Sequence, residues 1–358
     1  MRILQILRSE RGATTVLIVG VYLILLAFVG MATDFGIILR YRRAMQNACD
    51  AGALAGALDL RLNPTAAVPT AQRYARNDMV PNRISWTSLE GTLYDKNWQP
   101  TLIGPRIIRV EIHADVPTFF LRIVEDSVPV AVDCAAKLMP IILTNGLVPM
   151  GLNYNEWDDY YNSDCWQYVT DGIPFADRPA HCLDIDITVD VSDKDNPWGS
   201  GNTGLLSMGC FDCPAGGGSQ WKDYFINGAP TAYCYDPDRT ADVSDHTMDG
   251  AYCANVKTEP GAKIGPIRQG IDERCASTNT LDHVIMMPLL NPAYMESGSG
   301  TYTTEIWGFV AFEIDCTKTN FTGGDPTIEG GFVSIVSMQA VGVETEFDTG
   351  VYTVKLIK

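Results

Sequence analysis

The side chains that could do chemistry in this chain are its thiols and its carboxylates. Ten cysteines are present, and eight of them fall between Cys165 and Cys316. An even set in a glycine-, proline- and aromatic-rich stretch reads as a disulfide framework in an oxidising compartment. The candidates are Cys165, Cys182, Cys210, Cys213, Cys234, Cys253, Cys275 and Cys316, with Cys49 and Cys134 standing apart nearer the N-terminus. Eight cysteines allow on the order of a hundred pairings, so spacing leaves their connectivity open. Cys210-Phe211-Asp212-Cys213 has the two-residue gap of a zinc knuckle. No second pair at that gap accompanies it, and an oxidising compartment disfavours thiolate sites.

The carboxylates concentrate in one place. Residues 151–250 hold 18 Asp and Glu against 4 Lys and Arg, which is -14 of the formal charge of -17. Asp184, Asp186 and Asp190 are weak Ca2+ candidates: they supply hard oxygens, but the turn glycine and closing bidentate glutamate of an EF-hand are missing. A solvated acidic surface is the plainer reading, and no other cofactor is expected. Asp190-Val191-Ser192 opens like an Asp-x-Ser-x-Ser metal site, yet Lys194 stands where the second serine belongs. The four histidines, His113, His181, His246 and His283, lie far apart. No His-Glu-x-x-His, Gly-x-Ser-x-Gly, Walker loop or dinucleotide fingerprint occurs. An enzyme is therefore not expected, with a hydrolase in the acidic region as the alternative. So acidic a surface also excludes nucleic acid as a partner of the bulk of the chain.

The elements that must position these groups begin with a membrane span. Ala13–Thr33 carries no charged side chain over 21 residues, and as a helix it covers about 31 Å, the hydrocarbon thickness of a bilayer. A secretory signal would have a shorter apolar core and a cleavage site soon after. Arg2, Arg8 and Arg11 before the span nearly balance Arg40, Arg42 and Arg43 after it, so the positive-inside rule is close to silent. The cysteines break the tie and place the C-terminal bulk outside the cytoplasm. Helical patterning continues without proline to Pro64, which predicts one helix to about residue 61. Ala48, Gly52 and Gly56 recur every four residues on it and make a face without side-chain bulk. Such a face admits either the flank of its own domain or a helix of another copy.

Several motifs here resemble one family. Arg11-Gly12-Ala13-Thr14-Thr15-Val16 opens the apolar span, Thr33-Asp34-Phe35-Gly36 closes it, and Arg42-Arg43-Ala44-Met45-Gln46-Asn47-Ala48-Cys49-Asp50-Ala51-Gly52-Ala53-Leu54-Ala55-Gly56-Ala57 follows. Together they look like the N-terminal region of the Tad/Flp pilus-assembly TadE/TadG-like proteins. Tyr74-Ala75-Arg76-Asn77, the Ile107–Val116 strand, Thr118-Phe119-Phe120 and the Val128–Ala136 strand are similar to that family's small extracytoplasmic domain. The resemblance implies a single-pass protein of the bacterial inner membrane with its bulk periplasmic or extracellular. Its implied partners are the lipid bilayer, other Tad pilus-assembly components, and further copies through the N-terminal helix. Prepilin-peptidase substrates usually carry a glutamate five positions after the cleaved glycine; counted from Gly12, that position is Leu17. The chain therefore reads as an assembly or minor component rather than the major filament subunit.

Beyond the helix, residues 62–139 read as a small α+β domain. Ile108, Val110, Ile112, Ala114 and Val116 alternate with Arg109, Glu111, His113 and Asp115, the pattern of a strand with one packed face and one wet face. Cys49 on the helix and Cys134 near a strand end are either a disulfide closing a loop of about 85 residues or two separate buried thiols. Residues 140–152, with Asn145-Gly146 and Pro149, read as a connector. Residues 153–358 read as an acidic, cysteine-rich domain in which Thr304–Cys316 is a central strand, neighboured by Phe332–Val343 and Val351–Ile357, with Val284–Leu290 another strand. The expected class is α+β: a long transmembrane helix running into a small α+β domain, then a β-rich, disulfide-stabilised domain. The expected function is membrane-anchored assembly or tip work in a Tad-type pilus; the alternative is a tethered binding or hydrolytic domain that uses the helix only as anchor.

Overall fold

A computed structural model describes residues 10–62, 64–80, 84–94, 107–171, 173, 175–183, 189–190, 202–208, 218–235, 247–248, 251–253, 255–260, 263–291, 303–321, 327–337, 340–342 and 349–357. The chain folds as a long apolar helix followed by a mixed α+β body. Helix α1 (Glu10–Leu62) is 53 residues long, about 80 Å at the helical rise. Its first half contains a window of mean hydropathy 2.6 and is almost wholly exposed, which makes it the one described helix long and apolar enough to cross a membrane. Its second half is buried on one side, through Met45, Ala48, Cys49, Ala53, Ala57 and Leu60. Proline at the first position of helix α2 (Pro64–Met79) ends the first helix and suits the start of the second, because an N-terminal helical residue needs no N–H partner. The second helix folds back antiparallel along α1, so that Gly56 faces Ala67 and Ala71, and Gly52 faces Ala71 and Ala75.

Strands β1 (Ser88–Tyr94), β2 (Ile107–Pro117) and β3 (Ser127–Thr144) form an antiparallel meander against these helices. The alternation read from sequence in β2 is the observed one: Ile108, Val110, Ile112, Ala114 and Val116 are buried, while His113 is exposed. The core between sheet and helices is built from alanines on the helices and from valine and isoleucine on the strands. That combination lets backbones approach closely while branched side chains fill the gap.

The second half contributes strands β4 (Leu152–Asn153), β5 (Val189–Asp190), β6 (Asn202–Ser207), β7 (Tyr233–Cys234), β8 (Thr247–Met248), β9 (Ala251–Cys253), β10 (Asn255–Pro260), β11 (Val284–Leu290), β12 (Thr303–Ile314), β13 (Thr327–Ile328), β14 (Gly330–Val333), β15 (Ile335–Val336), β16 (Val341–Gly342) and β17 (Val351–Ile357). One sheet runs β4-β11-β12-β10-β6, with β14 also on β12. Helices α3 (Tyr154–Tyr161), α4 (Cys165–Thr170), α5 (Ala180–Leu183), α6 (Gly218–Asn227) and α7 (Ile264–Cys275) belong to this part. Its core is aromatic, with Trp157, Trp166, Phe225, Phe312 and Phe332 among the buried residues.

Three expectations about this half differ from the structure. The connector at residues 140–152 is still strand as far as Thr144, because β3 passes straight through Pro140. A proline costs a ladder bond there, but its fixed φ is compatible with extended backbone. Val351–Ile357 does not flank β12; it returns to β3, pairing Tyr352 with Pro140 and Ile357 with Ala135. Phe332–Val343 is not one strand either. Only β14 lies on β12, while β15 pairs with β17 and β16 with β3. Sequence units 62–139 and 153–358 thus share the sheet that contains β3.

Candidate functional site

Asp34 interrupts a run of exposed side chains on α1 that resumes at Phe35. Before it, Val16, Leu17, Ile18, Tyr22, Leu26, Phe28 and Met31 all point outward. Asp34 itself is fully buried, and its carboxylate accepts three backbone N–H groups: Phe119 at 2.7 Å, Phe120 at 2.9 Å and Leu121 at 2.6 Å. These donors open the 3-10 turn Leu121–Ile123 in the β2–β3 connection. The first N–H groups of a helical turn have no internal acceptor, so the carboxylate supplies what the turn lacks and the turn solvates the charge. The sequence shows an acidic residue at the end of an apolar span and a Thr-Phe-Phe element 85 residues later, but nothing in the spacing says that they meet.

Fifteen residues further along α1, Cys49 is disulfide-bonded to Cys134 on β3, with 6.0 Å between the Cα atoms. The two fastenings are commensurate. Fifteen helical residues rise about 22 Å, and the seven extended steps from Ser127 to Cys134 cover about 23 Å. Helix and hairpin can therefore run side by side between them without either bending.

Ala48, Gly52 and Gly56 are buried within the chain. A Cβ at Gly52 would lie 2.7 Å from the Ala71 carbonyl oxygen, and one at Gly56 would lie 2.7 Å from Ala71 Cβ and 2.6 Å from Ile108 Cδ1. The small-residue face thus packs against α2 and β2 of its own chain. Self-association of copies through this face would first have to displace α2.

The remaining cysteines divide. Cys165–Cys182 and Cys275–Cys316 are disulfides with sequence separations of 17 and 41. Cys234 is also disulfide-bonded, and no cysteine is free among the described residues. Cys210 and Cys213, the side chain of Cys253, Asp184, Asp186 and the side chain of Asp190 lie outside the described residues, and so does His246. Asp164, Cys165, His181 and Cys182 bring their ligating atoms within 4.8 Å of one another. The two sulfurs are bonded to each other, however, and Asp164 Oδ2 sits 3.1 Å from His181 Nε2. A disulfide has no thiolate to offer a metal, so this cluster is a staple with an aspartate–histidine contact beside it.

One buried cation escaped the sequence reading. Arg178 donates to the carbonyl oxygens of Ile173 at 3.1 Å and Phe332 at 2.7 Å, and to the Tyr160 hydroxyl at 3.2 Å. Burial lowers its pKa, opposed by Tyr160 and Glu313. Burial in turn pushes the Glu313 carboxyl up, while Arg178 and His283 pull it back. An arginine in an Asp-rich loop reads as surface; only the contacts reveal that it ties the segment after α4 to β14.

The positions that unite an apolar anchor with a packed body are therefore Asp34, Ala48, Cys49, Gly52 and Gly56, all on α1. No curated protein and no solved structure matches this chain. Residues 12–59, which lie wholly within α1, match the model of the Tad family, described as putative Flp pilus-assembly TadE/G-like.

Proposed function

We propose that this chain is a single-pass component of the bacterial inner membrane that works in assembly, or as a minor or tip subunit, of a Tad (Flp) pilus. The observation that carries this reading is the helix matched to the family, which is apolar and exposed in its first half and built into the body in its second. The N-terminus then lies in the cytoplasm and the body outside it. Disulfides at Cys49–Cys134, Cys165–Cys182 and Cys275–Cys316 support that side for the body, because thiols remain reduced in the cytoplasm. The absence of a glutamate at Leu17 supports a role other than that of major filament subunit. The proposal assigns the chain no catalytic step and no cofactor; its partners are the bilayer and other pilus-assembly components. Deletion of the coding sequence, followed by pilus counts and by co-purification of the tagged chain, tests the reading. Loss of pili together with recovery of assembly components is the expected result. Normal piliation with no such partners overturns it.

A further inference from the structure

Among the described residues, the β2–β3 connection is the most exposed apolar segment of the body. Ile123 is 92% exposed, Val124 86% and Phe119 71%. The segment is nonetheless tightly made. Thr118 donates its N–H to the Asp126 carbonyl at 3.1 Å and its hydroxyl to the Glu125 carbonyl at 2.7 Å, while Val124 N–H reaches the Leu121 carbonyl at 2.7 Å. A large apolar tip held rigid in water is a liability unless something covers it.

Its position names the cover. The three N–H bonds to Asp34 hold the turn at the end of the apolar span. Phe120 reaches further, since a Cβ on Gly30 would lie 2.5 Å from Phe120 Cγ. Gly30 is one helical turn, about 6 Å, inside that span. The turn thus lies alongside the stretch of α1 in which Phe28, Met31 and Phe35 are exposed. The arrangement also answers how a carboxylate sits between lipid-facing residues: the turn covers it and saturates it with donors, as an ionisable group at membrane depth requires. The other charges on the turn are Arg122, paired with Asp126 at 3.1 Å, and Glu125.

We infer that the 118–126 turn is a second membrane contact, with Phe119, Phe120, Ile123 and Val124 seated in the leaflet on the body's side of the bilayer that α1 crosses. Two contacts side by side fix the tilt and rotation of the body on the membrane, whereas one helix alone would leave it free to swing. Interfacial aromatic and aliphatic side chains are the usual anchors of such a contact. The inference rests on α1 spanning the bilayer, and the test separates the two.

The full chain, carrying Ile123→Cys or Val124→Cys labelled with an environment-sensitive fluorophore, is reconstituted in phosphatidylethanolamine–phosphatidylglycerol vesicles. Nitroxide-bearing lipids then quench either near the headgroup or near the chain end. Phe28→Cys serves as the label within the span, and Leu281→Cys, 72% exposed on the body, serves as the label in water. The expected result is loss of emission from both turn labels, stronger with the shallow quencher, alongside loss from Phe28→Cys and none from Leu281→Cys. Turn labels that behave like Leu281→Cys while Phe28→Cys is quenched overturn the inference and leave the anchor intact. An unquenched Phe28→Cys overturns the anchor itself. Turn labels that lipid nitroxides do not reach, but that become shielded as protein density rises, also overturn the inference, in favour of a second copy.

Discussion

Replacing Gly56 by alanine tests the packing that joins anchor to body. The new Cβ would sit 2.6 Å from Ile108 Cδ1, 2.7 Å from Ala71 Cβ and 2.8 Å from the Ala67 carbonyl oxygen. The isoleucine terminus can rotate away. The other two atoms belong to α2 and move only if that helix moves, and overpacking of this kind costs about 1–3 kcal/mol. Against it stands a gain of about 1 kcal/mol, the helix preference of alanine over glycine. The internal control is Gly36→Ala on the same helix, where nothing lies within 4 Å. Both substitutions share the same helix preference, so the difference between them isolates the overlap, about 1–3 kcal/mol against Gly56→Ala. Thermal unfolding of the full chain in detergent micelles, followed by near-ultraviolet circular dichroism of the buried tryptophans, should place Gly56→Ala several degrees below Gly36→Ala, at about 2–4 °C per kcal/mol. Gly52→Ala, whose Cβ would lie 2.7 Å from the Ala71 carbonyl oxygen, should follow Gly56→Ala. Adding Ala71→Gly to Gly56→Ala should recover part of the loss, since it removes one of the two rigid partners. A Gly56→Ala chain that melts at or above Gly36→Ala refutes the close approach of α1 and α2.

Four further perturbations have defined outcomes. Cys49→Ala with Cys134→Ala opens a loop of 85 residues and, by chain entropy, should lower stability by about 4–5 kcal/mol; an unchanged denaturation midpoint would contradict it. Asp34→Ala leaves the N–H groups of Phe119, Phe120 and Leu121 without their acceptor, so hydrogen exchange should accelerate at those amides while Val110 and Ile112 in β2 stay protected. Arg178→Met strands the Ile173 and Phe332 carbonyls and the Tyr160 hydroxyl and should cost about 2–4 kcal/mol in denaturant titration. Glu313 has its folded pKa raised by burial, so it binds a proton more readily folded than unfolded. Its contribution to stability is present in acid and is lost as pH rises from the unfolded toward the folded value. Glu313→Gln should therefore gain on the parent chain as pH is raised above the ordinary glutamate value of about 4, and a melting difference that shrinks with that rise would count against the assignment.

Local pattern and long-range pairing were legible to different degrees. The apolar span, the β2 alternation and the bulk-free face at Ala48, Gly52 and Gly56 could be read because each depends on neighbours within one element. Val351–Ile357 was readable as a strand, but its return to β3 rather than β12 was not. Its seven residues offer similar apolar faces to either sheet, and the choice is made by a loop closure of more than two hundred residues that leaves no local mark. The connector expected at 140–152 from Asn145-Gly146 and Pro149 starts too early for a related reason: its first five residues continue β3, and the donor missing at Pro140 is absorbed by the pairs on either side. The Asp34 bonds fall in the same class, since a carboxylate and a turn 85 residues apart reveal their match only once β2 and the helix are laid side by side.

What that alignment achieves is mechanical. Helix α1 carries no proline, is continuous across the end of the apolar span, and is fastened to the body at Asp34, Cys49 and Gly56. The first and last of these are separated by 22 residues, about 33 Å of helix. A hinge would need unpaired backbone or a loop between anchor and body, and the described chain puts helical hydrogen bonds there instead. Movement of the anchor in the membrane, whether piston or rotation, is therefore passed to β2 and β3 through a carboxylate, a disulfide and interlocked backbones. A tether that only held a secreted domain near a surface would gain nothing from such stiffness. A component that must present its body at one height and one orientation to an assembling filament would depend on it.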